Sequence, residues 1–343
     1  MTTETDAPAL QERVGHYYKA DRVYRVGREK VREYARAVQD YHPAHWDEDA
    51  AAALGYSGLI APLTFTATMA MAANQKLLQE VVVGYETFVQ TEEVFEQHRP
   101  IVVGDELVTD VELSAVRRVA GRDMITITNT LTDAAGETVH TMHTTVVGIT
   151  ADEVDPAIAD AVRKVVVHDV DVLSVEAAAS DYVKTVRPEG RRRIADGGRT
   201  RIPGSMNFDS LSIGAKLPER DILVARGDLV NYAGVAGDAN PIHWDETIAK
   251  LAGLPDVIAH GMLVLGLGAG FVSSWSGDPG AVSKYTVRFS APAIVPATER
   301  ADIEFGGRIK SLDAETREGT VIVTAKSAGK KIFGMGTMNL RFA

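Results

Sequence analysis

An aspartate and a histidine five positions apart are the residues of this sequence best suited to chemistry. Asp238 and His243 are separated by Asn240 and Pro241. Because proline breaks a helix and favours an extended conformation in the preceding residue, the two side chains must flank a turn. Such a turn can direct a carboxylate and an imidazole at a common point. The pair suits the addition or elimination of water, in which one group handles a proton on carbon and the other the oxygen of water.

The same residues also have a purely structural interpretation. Asp238 would then cap the following helix, and His243 would be a buried side chain with satisfied hydrogen bonds. The pair belongs, however, to a compact Gly-Asp-x-Asn-Pro-x-His string over residues 237–243 that recurs in part elsewhere in the chain. This recurrence favours the chemical interpretation.

A second feature is a glycine that opens an apolar segment. Gly261 stands between His260 and Met262, ahead of a run that favours a buried helix. The N–H groups of a first helical turn have no partner within the helix and carry the positive end of its dipole. The Gly261 N–H could therefore hold a carbonyl oxygen as it becomes an enolate. Alternatively, Gly261 only eases a tight start to the helix.

Three alternating glycines follow in the same segment. Gly266, Gly268 and Gly270 lack the Gly-x-Gly-x-x-Gly spacing of a dinucleotide loop, and no strand precedes them. The apolar pattern continues through them as a helix. Their small size would allow either an acyl chain or another part of the protein to approach closely.

The chain repeats itself with an offset of 198 residues. Residues 34–61 align without a gap with residues 232–259, and 12 of the 28 positions are identical. Asp40 and His45 thus correspond to Asp238 and His243. After each repeat, an apolar segment precedes runs of alternating and β-branched residues that are typical of strands. The predicted strands are residues 87–97, 106–119, 123–133 and 137–147, then residues 282–290, 301–312, 319–328 and 331–342.

Each half therefore combines one helical segment with an antiparallel meander, which predicts an α+β unit of about 140 residues. We expect domains over residues 1–150 and 204–343, joined by a linker over residues 151–203. Asp155 and Pro156 favour the start of a short helix in this linker. Its basic cluster is either a solvated spacer or a docking surface for an acidic partner such as a carrier protein. The cluster consists of Lys184, Arg187, Arg191, Arg192, Arg193, Arg199 and Arg201.

Composition excludes several classes of function. The 343 residues include 36 basic and 47 acidic side chains, and the net charge of −11 argues against general nucleic-acid binding. The absence of cysteine excludes disulfides and thiolate catalysis. Residues 1–21 lack the apolar core of a secretory signal, and residues 58–73 and 257–272 are shorter than the ~20 residues of a membrane helix. We expect a cytoplasmic protein without membrane attachment, metal or nucleotide cofactor.

These motifs resemble those of the MaoC-like family of dehydratases and hydratases. Residues 232–243, followed by Ala249, resemble its hydratase-2 motif. More closely, the second half resembles the catalytic subunit of the (3R)-hydroxyacyl-ACP dehydratase of type II fatty-acid synthesis, through strings such as residues 258–262. The first half is similar to the other subunit of that enzyme, which houses the acyl chain, through residues 29–39 and 54–65.

The resemblance implies a double hot-dog fold, in which each half wraps an antiparallel sheet around a central helix and the halves form a pseudo-dimer. It implies that Asp238 and His243 are catalytic, that the Gly261 N–H binds the thioester carbonyl, and that Asn240 and Met262 help to bind substrate. The implied reaction removes water from long-chain (3R)-hydroxyacyl thioesters in fatty-acid or mycolic-acid-type elongation and is reversible as enoyl hydration. Implied partners are acyl carrier protein, other fatty-acid synthase enzymes and a second copy of the chain.

The first half departs from the family pattern. It keeps Asp40 and His45, but His42 stands in place of the asparagine, and residues 62–64 read Pro-Leu-Thr instead of His-Gly-Met. We therefore expect Asp40 and His45 to mark a second or a vestigial site, in a half that mainly houses the acyl chain. Two other functions stay open: an (R)-specific enoyl-CoA hydratase of fatty-acid breakdown, and a non-catalytic acyl-thioester binding protein. A thioesterase on the same fold is a weaker alternative.

Overall fold

Two copies of one α+β unit share a single antiparallel sheet in this protein. The computed structural model describes residues 10–85, 87–165, 182–190 and 205–342. The helices are α1 (Arg28–Ala37), α2 (Glu48–Ala53), α3 (Ala67–Glu80), α4 (Pro156–Val165), α5 (Arg226–Ala236), α6 (Glu246–Leu251) and α7 (Gly261–Ser276). The strands are β1 (Tyr17–Ala20), β2 (Tyr24–Arg25), β3 (Thr87–Gln97), β4 (Glu106–Val119), β5 (Arg122–Thr132), β6 (Thr138–Ile149), β7 (Tyr182–Thr185), β8 (Lys216–Val224), β9 (Val282–Phe289), β10 (Ala301–Asp313), β11 (Glu318–Ser327), β12 (Lys330–Lys331) and β13 (Phe333–Arg341).

The sheet runs in the order β7-β1-β4-β5-β6-β3-β9-β13-β11-β10-β8, so the two halves meet where β3 pairs with β9. β2 pairs with β4, and β12 pairs with β11. Across the β3–β9 seam, Glu93 lies opposite Val287. On the outer face of the seam, Arg288 pairs with Glu92 at 3.0 Å. The pairing of β3 with β9 therefore joins the strands of both repeats into one sheet.

A central helix packs against the inner face of each part of the sheet. α7 is buried from Leu263 to Ser273 because its sequence is apolar or small on every side. Its Gly268 lies against Tyr285, Phe305 and Phe333, which come from three strands of the second half. In the first half, α3 contacts β4 and β5 in the same way. All eight predicted strands form, and each end lies within two residues of its predicted position.

In its described residues, the segment between the halves contains a 3-10 turn (Ala151–Glu153), the helix α4 and the strand β7. The Ala157 N–H donates to Asp155 Oδ1 at 2.9 Å at the start of α4, as the sequence indicated. β7 pairs with β1 and so extends the sheet of the first half. Of the basic cluster, Lys184 is exposed and Arg187 pairs with Glu112 at 3.2 Å. The other five members, Arg191, Arg192, Arg193, Arg199 and Arg201, lie outside the described residues.

Among the helices of the described residues, none has the length and apolar character needed to cross a membrane.

Candidate active site

Asp238 and His243 lie on either side of a short 3-10 turn in the second half. α5 stops at Gly237, whose φ of 80° lies in the left-handed region that glycine adopts without strain. The turn itself covers Pro241–His243 and starts with a proline, as the first position of such a turn allows. Asn240 is exposed, and its Oδ1 accepts a hydrogen bond from the N–H of Ile242 at 3.3 Å, which fixes the turn.

The Asp238 carboxylate is not used to cap the helix that follows. Asp245 caps α6, where its side chain accepts a hydrogen bond from the N–H of Ile248 at 3.0 Å. Asp238 instead accepts a hydrogen bond from the N–H of Asn240 at 3.2 Å through Oδ1. The carboxylate is half-buried and lies at the edge of the turn, on the same side as His243.

His243 is held in one tautomer by the backbone. Its Nδ1 lies 2.8 Å from the carbonyl oxygen of Ile258. Because a carbonyl oxygen can only accept, Nδ1 carries the hydrogen, and Nε2 of the neutral ring is left as a base. Burial lowers the pKa of His243, and the nearby Asp238 carboxylate and the Ile258 carbonyl offset only part of this effect. The ring is therefore neutral at pH 7.

A second imidazole stacks on the first. The rings of His243 and His260 lie 3.9 Å apart between centroids at an interplanar angle of 27°. Burial lowers the pKa of His260 to about 2, and His243 acts in the same direction. His260 is thus a neutral, fully buried ring at the start of α7. Because His260 is the residue that precedes α7, this stacking places the Asp238–His243 pair, here called the second dyad, beside the N-terminus of that helix.

Asp238, His243 and His260 each present one polar atom within 4.8 Å of the others. Asp238 and His243 form no direct hydrogen bond or ion pair in the described part of the chain, and a single water molecule can bridge a gap of this size. Metal ligands must converge on an ion about 2 Å from each nitrogen. Stacked rings instead direct their in-plane lone pairs side by side, so this group does not fit a zinc site.

The N-terminus of α7 lies beside this pair and is closely packed. A Cβ atom added to Gly261 would lie 2.6 Å from Oε1 of Gln90 and 3.3 Å from the ring of Phe289. Met262 contacts the same carboxamide, with its Sδ 3.6 Å from Gln90 Nε2. The site is therefore formed by both halves, because Gln90 belongs to β3. Gln90 was not predicted from the sequence, because it lies outside the aligned repeat and nothing in the sequence indicates that β3 reaches the other half.

The first half contains the corresponding pair, Asp40 and His45, here called the first dyad, and its two side chains contact each other directly. His45 Nδ1 donates to the carbonyl oxygen of Ile60 at 2.6 Å, as His243 does to Ile258. Its Nε2, however, lies 3.2 Å from Asp40 Oδ2, and both side chains are fully buried, at 0% and 2% exposure. Burial alone would lower the pKa of His45, but the negative charge of the adjacent Asp40 raises it. The pKa of Asp40 is lowered because His45 outweighs the opposing effect of burial. The pair is a buried salt bridge.

Helix α7 of the second half closes this pair off. A Cβ atom on Gly270 would lie 3.1 Å from Cγ of Asp40, so the helix backbone packs directly on the carboxylate. At Gly266 a Cβ atom would lie 2.5 Å from Val38 and 3.1 Å from Thr64. The glycines of α7 thus serve close packing between protein atoms, one of the two alternatives that the sequence left open.

The first half also lacks a regular helix start beside its dyad. Leu63–Thr66 form a 3-10 turn after Pro62, and α3 begins only at Ala67. In the second half, α7 begins directly at Gly261. The two dyads therefore face different surroundings despite their shared sequence.

Comparison with known proteins agrees with this architecture. Residues 12–142 match the family model described as a FAS1-like dehydratase domain region, and residues 210–328 match the MaoC-like domain. A solved structure described as a MaoC-like dehydratase is 67% identical, with a TM-score of 0.91, over 98% of this chain and 100% of that one. A conserved hypothetical protein of Mycobacterium tuberculosis with a double hotdog fold is 14% identical, with a TM-score of 0.62, over 96% of each chain. A UPF0336 protein of Saccharopolyspora erythraea is 38% identical over 142 residues, 41% of this chain and 91% of its own length.

The chain belongs to the MaoC-like dehydratase family, a family of hydro-lyases. Its two halves form a double hot-dog, which confirms the fold predicted from the internal repeat and the family motifs.

Proposed function

We propose that the protein removes water from (3R)-3-hydroxyacyl thioesters to give trans-2-enoyl thioesters, and that it hydrates the enoyl thioesters in reverse. The observation that carries this proposal is the open Asp238–His243 pair at the N-terminus of α7. The reaction changes charge at C2, at the 3-hydroxyl and at the thioester oxygen, and the imidazole, the carboxylate and the helix N-terminus provide one group for each.

The neutral His243 ring takes the proton from C2 through Nε2. The negative charge moves to the thioester oxygen, where the Gly261 N–H and the positive end of the α7 dipole stabilise it. The resulting imidazolium lies beside the Asp238 carboxylate, which offsets its charge. The 3-hydroxyl then leaves with this proton as water, held by Asp238, and the ring returns to its neutral form. Asn240 keeps the turn in shape, and Met262 lines the thioester end of the site.

The carrier is acyl carrier protein and the chain is long, in fatty-acid or mycolic-acid-type elongation in the cytoplasm. The family resemblance of both halves to the two subunits of the acyl-carrier-protein dehydratase supports this part of the proposal. The exposed Lys184 belongs to the basic cluster expected to meet an acidic carrier. Other fatty-acid synthase enzymes and a second copy of this chain are further proposed partners.

The test is to follow hydration of short and long trans-2-enoyl groups carried by coenzyme A and by acyl carrier protein, with the product resolved on a chiral column. We expect the (3R) product and higher kcat/KM with the carrier protein. Equal or better turnover with coenzyme A would favour an enoyl-CoA hydratase of fatty-acid breakdown. Binding of both thioesters without turnover would contradict the proposal and favour a binding protein, and release of free thiol would indicate thioester hydrolysis instead.

A further inference from the structure

A glutamate of the first half is buried without exposure at the seam between the halves. Glu93 lies on the inner face of β3, opposite the apolar Val287 of β9. Its Oε2 accepts a hydrogen bond from Gln90 Nε2 at 2.8 Å, while Oε1 has no hydrogen-bond partner among the described residues. A fully buried carboxyl group that lacks a cationic partner is costly when ionised. Its presence here needs a reason beyond packing.

An irregularity in β3 directs Gln90 to the same face. The register of β3 against β6 shifts between Gln90 and Glu92. Side chains alternate along a regular strand, so Gln90 and Glu93 would otherwise face opposite sides. A bulge of this kind re-aims a side chain and is frequent beside functional sites. The shift brings both side chains to one face, where Gln90 contacts α7 and hydrogen-bonds Glu93.

Gln90 reaches the first turn of α7 in the other half. Its Oε1 occupies the space beside Gly261, and its Nε2 contacts Met262 as well as Glu93. One of the two Nε2 hydrogens is held by the carboxyl group, and the other meets a thioether, which is a weak acceptor. This second hydrogen is therefore available to a better acceptor at the helix N-terminus.

The carboxyl group is un-ionised at neutral pH. Burial raises the pKa of Glu93 to about 8, and the nearby Thr144 and Gln90 side chains only partly offset this effect. An ionised carboxylate here would oppose the negative charge of an enolate nearby. A neutral acid holds the Gln90 carboxamide without this repulsion.

We propose that Gln90 completes the thioester-binding end of the second-half site, with its Nε2–H as a second donor to the carbonyl oxygen beside the Gly261 N–H, and that Glu93 positions its carboxamide. The inference rests on the proposed function, since it names a further residue for the same reaction. It makes the first half a direct contributor to the chemistry of the second, through a strand rather than through its own dyad. Gln90 contacts the reacting group, and Glu93 acts through Gln90.

The kinetic test compares four variants in hydration of a trans-2-enoyl thioester. Removal of one such donor typically lowers kcat by about 10²–10³-fold, so we expect this loss in Gln90→Ala with a smaller change in KM. Glu93→Gln keeps a neutral acceptor for the carboxamide and should retain most of the activity, whereas Glu93→Ala should not. Glu92→Gln is the matched control, because Glu92 is the neighbouring acid on the outer face and should leave kcat unchanged.

A double-mutant cycle tests whether Gln90 acts at Gly261. In Gly261→Ala the new methyl group would displace the end of the Gln90 side chain, so part of its effect on kcat should come from Gln90. We expect Gly261→Ala to cost less in the Gln90→Ala background than in the wild type. Additive losses would contradict contact between the carboxamide and the carbonyl-binding end.

A spectroscopic readout separates this role from a structural one. The carbonyl stretching band of a bound, isotope-labelled enoyl thioester moves to lower frequency with each hydrogen-bond donor to its oxygen. His243→Ala should bind the thioester without converting it, so the band can be measured at equilibrium in that background. We expect a smaller shift when Gln90→Ala is added and no change when Glu92→Gln is added.

The outcomes distinguish the two proposals. No turnover by the wild type with any thioester, or full activity in His243→Ala, would overturn the proposed function itself. An active wild type and an inactive His243→Ala, together with unchanged kcat and carbonyl band in Gln90→Ala, would overturn only the role of Gln90. A rise in KM with unchanged kcat would also overturn it, because it would show binding that is equal in the ground and transition states.

Discussion

The two dyads of this protein have the same residues, the same spacing and the same hydrogen bond to the backbone. They differ in whether the aspartate and the histidine contact each other. In each, histidine Nδ1 donates to an isoleucine carbonyl at the equivalent position. In the first half Asp40 and His45 form a fully buried salt bridge at 3.2 Å. In the second half Asp238 and His243 are close but unpaired, and Asp238 is half-buried.

The difference arises from what packs on each carboxylate. The backbone of α7 lies on Asp40 at Gly270, so a substrate has no room to approach. Beside His243 lie instead the neutral His260 ring and the first turn of α7. In a paired and buried dyad the imidazole and the carboxylate bind each other, whereas an open dyad keeps its imidazole and its carboxylate available. The same sequence motif can therefore serve structure in one half and, as we propose, chemistry in the other.

The largest effect on stability should come from breaking the closed dyad. Asp40→Ala removes the partner that keeps His45 charged and breaks a buried ion pair, so it should lower the free energy of unfolding by about 3–5 kcal/mol. Asp238→Ala should lower it by less than about 1 kcal/mol, because its carboxylate forms no ion pair. Denaturant unfolding of both variants at pH 6 measures the difference. Equal midpoints would contradict the contrast between the dyads.

The pH of this measurement follows from the pKa shifts. The raised pKa of His45 adds stability that is complete below its usual value of 6.5 and is lost as the pH rises through the raised value. The lowered pKa of Asp40 adds stability that is complete above its usual value of 3.8 and is lost as the pH falls through the lowered one. Both contributions are complete near pH 6.

A smaller effect should come from the helix that closes the first dyad. In Gly266→Ala the new methyl group would meet the side chain of Val38 at 2.5 Å, and such overpacking typically costs about 1–3 kcal/mol. The matched control is Gly234→Ala in α5, where the position is exposed and no atom lies within 4 Å. Alanine there should instead stabilise the helix by about 0.5–1 kcal/mol. Thermal unfolding of the two variants should show opposite signs.

The smallest effect concerns the pH profile of the open dyad. If His243 is the neutral base, as we propose, kcat/KM should fall as the pH drops through its pKa, which lies below the usual value of 6.5. Asp238→Asn should move this acid limb to lower pH and reduce the rate, since the Asp238 charge raises the pKa of His243. His45→Gln should leave the pH of this acid limb unchanged. An acid limb above pH 6.5 in the wild type would show that His243 is not the base.

Much of the fold could be predicted because its signals are local. Alternating and β-branched runs define β3 to β6, and the proline and glycine around Asp238 define the turn that separates it from His243. The internal repeat then shows that both halves share one architecture. These signals depend on neighbouring residues, which a sequence shows directly.

The state of each dyad could not be predicted, because it depends on contacts between the halves. Nothing around Asp40 indicates that Gly270 of the other half will pack on it, and the row of small residues in α7 fits an acyl chain equally well. The positions of Gln90 and Glu93 depend on a register shift in β3. In the sequence, the one signal for this part of the site is Glu93, a charged residue in a strand. It becomes informative only when the structure shows that Glu93 lies on the inner face of the sheet.

The most direct test of the division between the halves is hydration of a short and a long trans-2-enoyl thioester by the wild type, His243→Ala and His45→Ala, with folding checked by circular dichroism. The Asp40→Asn/His45→Gln double variant removes both charges together if His45→Ala fails to fold. We expect His243→Ala to lose about 10²–10⁴-fold in kcat and the folded variants of the Asp40–His45 pair to keep wild-type kcat. A comparable loss of kcat in a folded variant of the Asp40–His45 pair would contradict the assignment of proton transfer to the Asp238–His243 pair alone.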